Sequence, residues 1–375
     1  MLDRLNPFGW YRTMRETAPA FRDPRLGSWS VFRYDDVQRV LSDHSTFSSR
    51  FMGGDSTENP IGASLIGTDP PRHRLLRSLV TQAFTPRKIA QLEPRIRAIT
   101  AELLDRAAPN GRMDLVGDFS DPLPVIVIAE LLGIPSADRD RFKRWSDALV
   151  TGQGSGYGGS QREMAEYFLR MIEQKRRAPG DDLISGLLTA EVEGERLSQT
   201  DLLGFCILLL VAGNETTTNL LGNAVLSFDE RPEVYEELHE SPDLLPDAIE
   251  EVLRYRSPVQ SMFRTVVKDT EVGGQRLRAG EPAIAWIGSA NRDEAQFADP
   301  ERLDIHRSPN RHIAFGHGIH FCLGAPLARL EARVALGMLI ERCRDLRVVP
   351  GAPLEVMDSM VVYGVKHLPV TFEPA

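Results

Sequence analysis

From Pro71 onward the apolar positions of this chain recur at intervals of three and four residues, the period of an amphipathic helix. The pattern predicts helices over 73–83, 87–107, 119–132, 136–150, 161–178, 181–190 and 198–226. Pro86 and Pro122 stand near two of the starts, where a missing N–H costs nothing. Ser198 opens the longest segment and Asp201 follows three residues later, an acidic form of the capping box. Other textures flank this block. Residues 28–34 read as a strand followed by a helix at 35–41, and the 47–68 stretch containing GGDSTENP reads as a mobile loop. TGQGSGYGGS, at 151–160, carries five glycines and is expected to be an irregular connector between helices. Residues 259–287 suggest short strands, with a hairpin turning at Gly273-Gly274, and 354–372 reads as another small sheet. The fold class that follows is mainly α with small β-sheets, in a single domain over residues 1–375.

Composition changes this picture little. The 375 residues are 42% hydrophobic and 26% charged, ordinary for a globular protein. A formal net charge of −9 argues against a nucleic-acid binder. The three cysteines, Cys206, Cys322 and Cys343, are too few and too far apart for a disulfide framework or a C-x-x-C zinc site, which fits a reducing compartment. The first 16 residues carry Asp3, Arg4, Arg12, Arg15 and Glu16, with no apolar core of signal-peptide type. The longest apolar stretch, 202–213, is shorter than the ~20 residues that a membrane-spanning helix needs. A cytoplasmic monomer without membrane contact is expected.

Chemistry concentrates in two places. Cys322 lies in FGHGIHFCLG (315–324), a glycine-punctuated loop that runs into an apolar, helix-prone segment. A thiol at a helix N-terminus near basic side chains is held as thiolate, and such a group can be a nucleophile, a structural thiol or a metal ligand. Gly316, Gly318 and Gly324 favour the ligand, because they let backbone approach a flat molecule where Cβ atoms would clash. The second place is AGNETTTN (212–219), in the middle of the longest predicted helix. Gly213, Glu215 and three threonines weaken an otherwise apolar run, and threonine hydroxyls can bend a helix by bonding one turn back. A functional kink is expected there. EEVLRY places Glu251 and Arg254 at i, i+3 on one helix face.

Phe315, Gly318, Cys322 and Gly324 match the Phe-x-x-Gly-x-x-x-Cys-x-Gly signature of the cytochrome P450 family. The 212–219 segment resembles that family's oxygen-activating motif, and Glu251–Arg254 its Glu-x-x-Arg pair. The three occur in the family's order, and the likeness runs over almost the whole chain. The resemblance implies the helix-rich P450 fold and haem b (iron protoporphyrin IX) with Cys322 as the axial iron ligand. It implies that Glu215 and Thr216 face bound dioxygen, Thr216 hydrogen-bonding it and Glu215 relaying protons with ordered water. His73, Arg77, Arg264 and His320 would bind the propionates, and Arg302 would add a third arm to Glu251–Arg254. Leu208, Val211, Ala212, Val259, Gln260, Met262, Val361 and Val362 would line the pocket for an apolar small molecule.

The reaction so implied is monooxygenation, with dioxygen as co-substrate and electrons from a separate ferredoxin and ferredoxin reductase. Arg72, Arg74, Arg311, Arg329 and Arg333 are candidate docking cations for an acidic ferredoxin. The substrate class stays open among fatty acids, terpenoids, steroids and polyketides. A peroxide-driven peroxygenase and a haem-thiolate sensor or carrier without turnover are the alternatives. Neither needs the acid–alcohol pair.

Overall fold

The computed structural model describes residues 5–50, 62–107, 110–138, 140–142, 144–145 and 157–375. Its elements begin with α1 (Phe8–Thr17), β1 (Ala20–Asp23), β2 (Ser28–Val31), α2 (Tyr34–Ser42) and β3 (Phe47–Ser48). Helices α3 (Arg72–Ala83), α4 (Pro86–Ala90) and α5 (Glu93–Ala107) follow, then β4 (Arg112–Asp114), α6 (Pro122–Leu131), α7 (Tyr157–Arg177), α8 (Leu183–Thr189) and the long α9 (Gln199–Glu230). After α10 (Pro232–Glu240) and α11 (Leu245–Tyr255) come β5 (Met262–Val266), β6 (Thr270–Val272), β7 (Gln275–Leu277), β8 (Pro282–Ala285) and α12 (Ile287–Ala290). Helix α13 (Ala325–Arg342), β9 (Cys343–Val348) and β10 (Pro369–Pro374) close the chain. The fold is mainly α with small sheets, as the periodicity predicts. Among the described residues no helix is long and apolar enough to cross a membrane.

The contacts divide the chain into two compact units. One comprises Met1–Ser48, Arg95–Ser120 and Thr216–Ala375; the other comprises Ser49–Pro94 and Asp121–Glu215. In the first, a five-stranded sheet has the order β1-β2-β8-β5-β3. Val31, Val37, Val40, Phe47 and Val266 bury their side chains completely in the core on this sheet, each contributing ~1.5–3 kcal/mol of apolar transfer. The β6–β7 hairpin turns where expected: Gly273 and Gly274 have φ of 55° and 74°, the two left-handed positions that a type I′ turn demands. The C-terminal sheet is shorter than expected. Only 369–374 form a strand, paired with β4 and β9, while Val356↔Val365 and Val259↔Val362 are isolated bridges.

The Glu-x-x-Arg pair is the polar centre of this unit. Arg254 is 0% exposed, and its five N–H groups make five bonds. Two go to the Glu251 carboxylate at 2.8 Å each, and three to the backbone carbonyls of Asn291, Pro300 and Arg302 at 2.9–3.0 Å. Glu251 also accepts from the Asp304 N–H, from Asn310 Nδ2 and from Arg307 Nε. The third arm is therefore Arg307, not the expected Arg302, which supplies only a carbonyl.

Buried in the same unit, Glu331 on α13 lies outside that network. Burial alone pushes its pKa up to about 8, and its Oε2 has no hydrogen-bond partner. A carboxyl whose pKa is raised on folding favours the folded state below the unfolded value near 4.5 and loses that contribution as pH rises towards 8. The loss is of the order of a few kcal/mol, at 1.36 kcal/mol per unit. Glu331→Met is therefore expected to raise Tm, by more at pH 8 than at pH 5. An equal change at both pH values would contradict this.

In the second unit, α9 begins with the predicted capping box: the Ser198 and Asp201 side chains each accept the other's backbone N–H, at 3.2 and 2.9 Å. The helix is unbroken through 212–219. Gly213 has a packing reason, since a Cβ there would stand 2.5 Å from Ile128 Cδ1 on α6. The glycine-rich 151–160 segment differs from its expectation. Residues 157–160 form the first turn of α7, while 151–156 lie outside the described residues. Glycine costs ~1 kcal/mol per helical position, but Met164, Phe168, Met171 and Ile172 anchor the helix by burial. The 87–107 expectation resolves into α4 and α5, because Pro94 fits only a helix's first turn. Residues 51–61 of the loop expectation, and 139, 143 and 146–150 of the 136–150 expectation, lie outside the described residues, while 140–142 and 144–145 are helical after the short turn Ser136–Asp138.

Candidate active site

Cys322 precedes α13 by three residues, and Pro326 at the helix start lacks the N–H that would be orphaned there. The loop holds its shape through its own backbone: the Cys322 N–H donates to the Phe315 carbonyl at 2.8 Å. Gly316 and Gly318 have φ of 75° and 73°, and a Cβ on Gly318 would stand 2.8 Å from the Ser42 Cα in α2. Alanine at 318 would be strained and would collide with backbone. A Cβ on Gly324 would stand 3.9 Å from Cys322 Sγ, beside the sulfur.

The three cysteines differ in kind. Cys322 is partly exposed, whereas Cys206 and Cys343 are buried. Burial, with the Asp182 carboxylate adding to it at Cys206, pushes both of those thiols up to about 12. They stay protonated, whereas Cys322 is the one cysteine not sealed in the core.

The first unit also holds Arg264, His320 and Thr216. Arg264 is buried on β5, where its Nη1 donates to the Phe263 carbonyl at 2.8 Å. His320 ends the short turn Gly318–His320. Val259 and Val362 are brought together by an antiparallel bridge, with Met262 and Val361 flanking them, all four partly buried. Gln260 differs. It is 4% exposed; its side-chain oxygen accepts from Tyr11 Oη at 2.7 Å and its NH2 donates to the Ser257 carbonyl at 2.6 Å. Both polar ends are used inside the core, which removes Gln260 from the expected pocket lining.

The second unit holds His73 and Arg77 on α3, and Leu208, Val211, Ala212 and Glu215 on α9. His73 is buried at 3% and Arg77, one turn later, is half-buried. Along α9 most residues are buried, but between 208 and 216 Leu208, Leu209, Val211, Ala212, Gly213, Glu215 and Thr216 are partly or fully exposed. Within this uncovered surface Leu208, Val211, Ala212, Glu215 and Thr216, spaced by three and four residues, form one stripe. The apolar positions and the acid–alcohol pair share a helix face.

Two expected docking cations are committed elsewhere. Arg72 pairs with Asp201 at 2.5 Å, and Arg329 makes a bidentate pair with Glu250 at 2.7 and 2.8 Å. Arg74, Arg311 and Arg333 are exposed. The sequence reading missed Glu250, His312, Arg307 and Asn310. The adjacency of Glu250 to Glu251 is the one signal that a second carboxylate faces a neighbouring side of α11.

A family model for cytochrome P450 matches residues 127–366. A putative cytochrome P450, YjiB, of Bacillus subtilis (strain 168) is 49% identical over 379 residues, covering 98% of this chain and 94% of the relative. The chain belongs to the cytochrome P450 family. As such it is a haem-dependent monooxygenase, an oxidoreductase. Among solved P450 structures, substrate-free CYP109E1 from Bacillus megaterium superposes with a TM-score of 0.95 at 45% identity, over 100% of both chains. The same enzyme in complex with corticosterone gives 0.91 at 45% identity, over 99% of both.

The residues present fit haem. One partly exposed sulfur stands at a helix start, and the position beside it is a glycine that leaves room for a flat ligand. Thiolate is a soft donor suited to haem iron, and His320 follows the same loop two residues ahead of the sulfur.

Proposed function

We propose that this P450 inserts one atom of dioxygen into a C–H bond of a bulky apolar molecule, of steroid or polyketide class. The observation that carries the reading is the uncovered stripe on α9, where Leu208, Val211 and Ala212 run directly into Glu215 and Thr216. A steroid fits this apolar lining, and a 45% identical enzyme is described in complex with corticosterone.

In this reading Cys322 would hold the haem iron through its thiolate, and His73, Arg77, Arg264 and His320 would bind the propionates. Haem, when bound, supplies the iron at which dioxygen is activated. The chain's own groups do the rest. The apolar stripe, with Val259, Met262, Val361 and Val362, orients the substrate and keeps bulk water away. The Thr216 hydroxyl, both donor and acceptor, holds a proton towards dioxygen, and the Glu215 carboxylate carries protons in from solvent.

We further propose haem b, held without covalent thioether links, because no C-x-x-C-H motif occurs in the chain. Residues 1–375 would act as one haem domain, a cytoplasmic monomer, with electrons from a ferredoxin and its reductase. Three free cysteines suit a reducing compartment. Arg74, Arg311 and Arg333 remain as exposed candidate cations for the donor.

Thr216→Ala tests the relay. With an NADPH-linked ferredoxin chain, product formed per NADPH is expected to fall roughly tenfold or more, while NADPH consumption continues and hydrogen peroxide accumulates. Undiminished coupling would overturn the proton role.

A further inference from the structure

The mechanism above gives no task to a cluster of side chains packed around the cysteine loop. Arg329, on the second turn of α13, lays its guanidinium over the ring of Phe315, 4.5 Å from the centroid. Phe315 is the residue whose carbonyl accepts the Cys322 N–H. On its other side the guanidinium is gripped by Glu250 of α11, with Nε and Nη2 donating to the two carboxylate oxygens. Glu250 is gripped in turn by His312: Nε2 lies 2.9 Å from its carboxylate, while Nδ1 accepts the Ala314 N–H at 3.2 Å. With Nδ1 accepting from the backbone, the ring donates to Glu250 through Nε2. The His312 side chain is 4% exposed, Glu250 30% and Arg329 38%.

Electrostatics ties this cluster to the sulfur. Hydrogen bonding to Glu250, and to a smaller extent the charge on Cys322, raise the Arg329 pKa against its partial burial. Burial opposes ionisation of Glu250, but hydrogen bonds from Arg329 and His312 outweigh it and hold that carboxyl at about 2. Both charges are therefore fixed at neutral pH. The cation stacks directly on a loop residue, whereas the Glu250 carboxylate reaches the loop through Arg329 and through His312, whose ring centroid lies 6.3 Å from that of Phe315.

We propose that Arg329, clamped by Glu250 and stacked on Phe315, is a positioning residue that sets how strongly the Cys322 thiolate donates to the haem iron, and with it the iron reduction potential. The proposal rests on Cys322 being the iron ligand. Reduction adds one electron from an external one-electron donor to the ligated iron and breaks no bond. A nearby positive charge favours the reduced form and a nearby negative charge opposes it. Removing Arg329 deletes the cation and leaves the carboxylate uncompensated. Removing the Glu250 charge leaves the cation uncompensated. The two changes act with opposite sign.

The test is a reductive titration of the haem-loaded protein with dithionite, alongside its reduced carbonyl spectrum. Arg329→Met is expected to lower the midpoint potential and Glu250→Gln to raise it. Each should shift the reduced-to-oxidised ratio threefold to tenfold, roughly 28–59 mV for a one-electron couple. The double variant should return close to the parent, and Arg329→Lys should retain most of the parent value. The shifts should shrink at 1 M salt, where screening reaches within ~3 Å. Loosened packing alone would move both single variants the same way, and that result, or no shift in either, overturns the proposal. If Arg329→Met does not take up haem, Glu250→Gln decides alone, and a potential that fails to rise refutes the idea. A parent protein without the red-shifted carbonyl band would instead refute the ligand assignment on which the proposal rests.

Discussion

Glu251→Ala is expected to cost 3–5 kcal/mol of stability, the usual result of removing one partner from a buried ion pair. The magnitude follows from what remains. Arg254 is 0% exposed, and two of its five N–H groups would lose their acceptor with no water to replace it. The Asp304 N–H, Asn310 Nδ2 and Arg307 Nε would lose theirs as well. With an unfolding entropy of ~2.1 cal/mol/K per residue, such a loss over 375 residues lowers Tm by roughly 4–6 °C. Because the network ties α11 to the 291–310 segment, haem retention at 37 °C should also fall. Glu251→Gln keeps an acceptor and should lose less. A Tm unchanged by Glu251→Ala, measured at equal haem content, would contradict the central place given to this pair.

How much of this was legible in advance depended on whether the cause was local. The Ser198–Asp201 cap, the Gly273-Gly274 hairpin and the proline helix starts are decided by residues a few positions apart, and each appears where expected. The cysteine loop was legible because left-handed glycines, a thiol and a helix start lie within ten residues. Partners set by long-range packing were not. Arg302 and Arg307 lie in the same irregular stretch, where no periodicity says which side chain turns inward, and only the folded loop selects Arg307. Gln260 reads as a polar lining residue until Tyr11, 249 positions away, uses its oxygen. Arg72 and Arg329 read as free surface cations until Asp201 and Glu250 arrive from other helices. Gly158 and Gly159 argued for a connector, but burial further along α7 carried the helix back through them.

The same contrast bears on the metal ligand. Cys206 and Cys343 are sealed in the core as protonated thiols, and neither is placed to meet a large flat cofactor. If Cys322 is the ligand, the thiolate character of the loaded protein resides in that one atom. A serine hydroxyl is nearly isosteric but does not ionise near neutral pH, so it cannot donate as thiolate does. Cys322→Ser should leave the loop intact, since the backbone bond from residue 322 to the Phe315 carbonyl does not involve the side chain. Monooxygenase turnover should be lost, and stability should change far less than in Glu251→Ala.

The direct measurement is the absorption spectrum of the dithionite-reduced, carbon monoxide-bound protein, for the parent, Cys322→Ser, Cys206→Ser and Cys343→Ser. The expected result is a strongly red-shifted Soret band in the parent and in both control variants, and its complete loss in Cys322→Ser. Persistence of that band in Cys322→Ser, or its loss in a control variant that still binds haem, would contradict the assignment of Cys322 as the iron ligand.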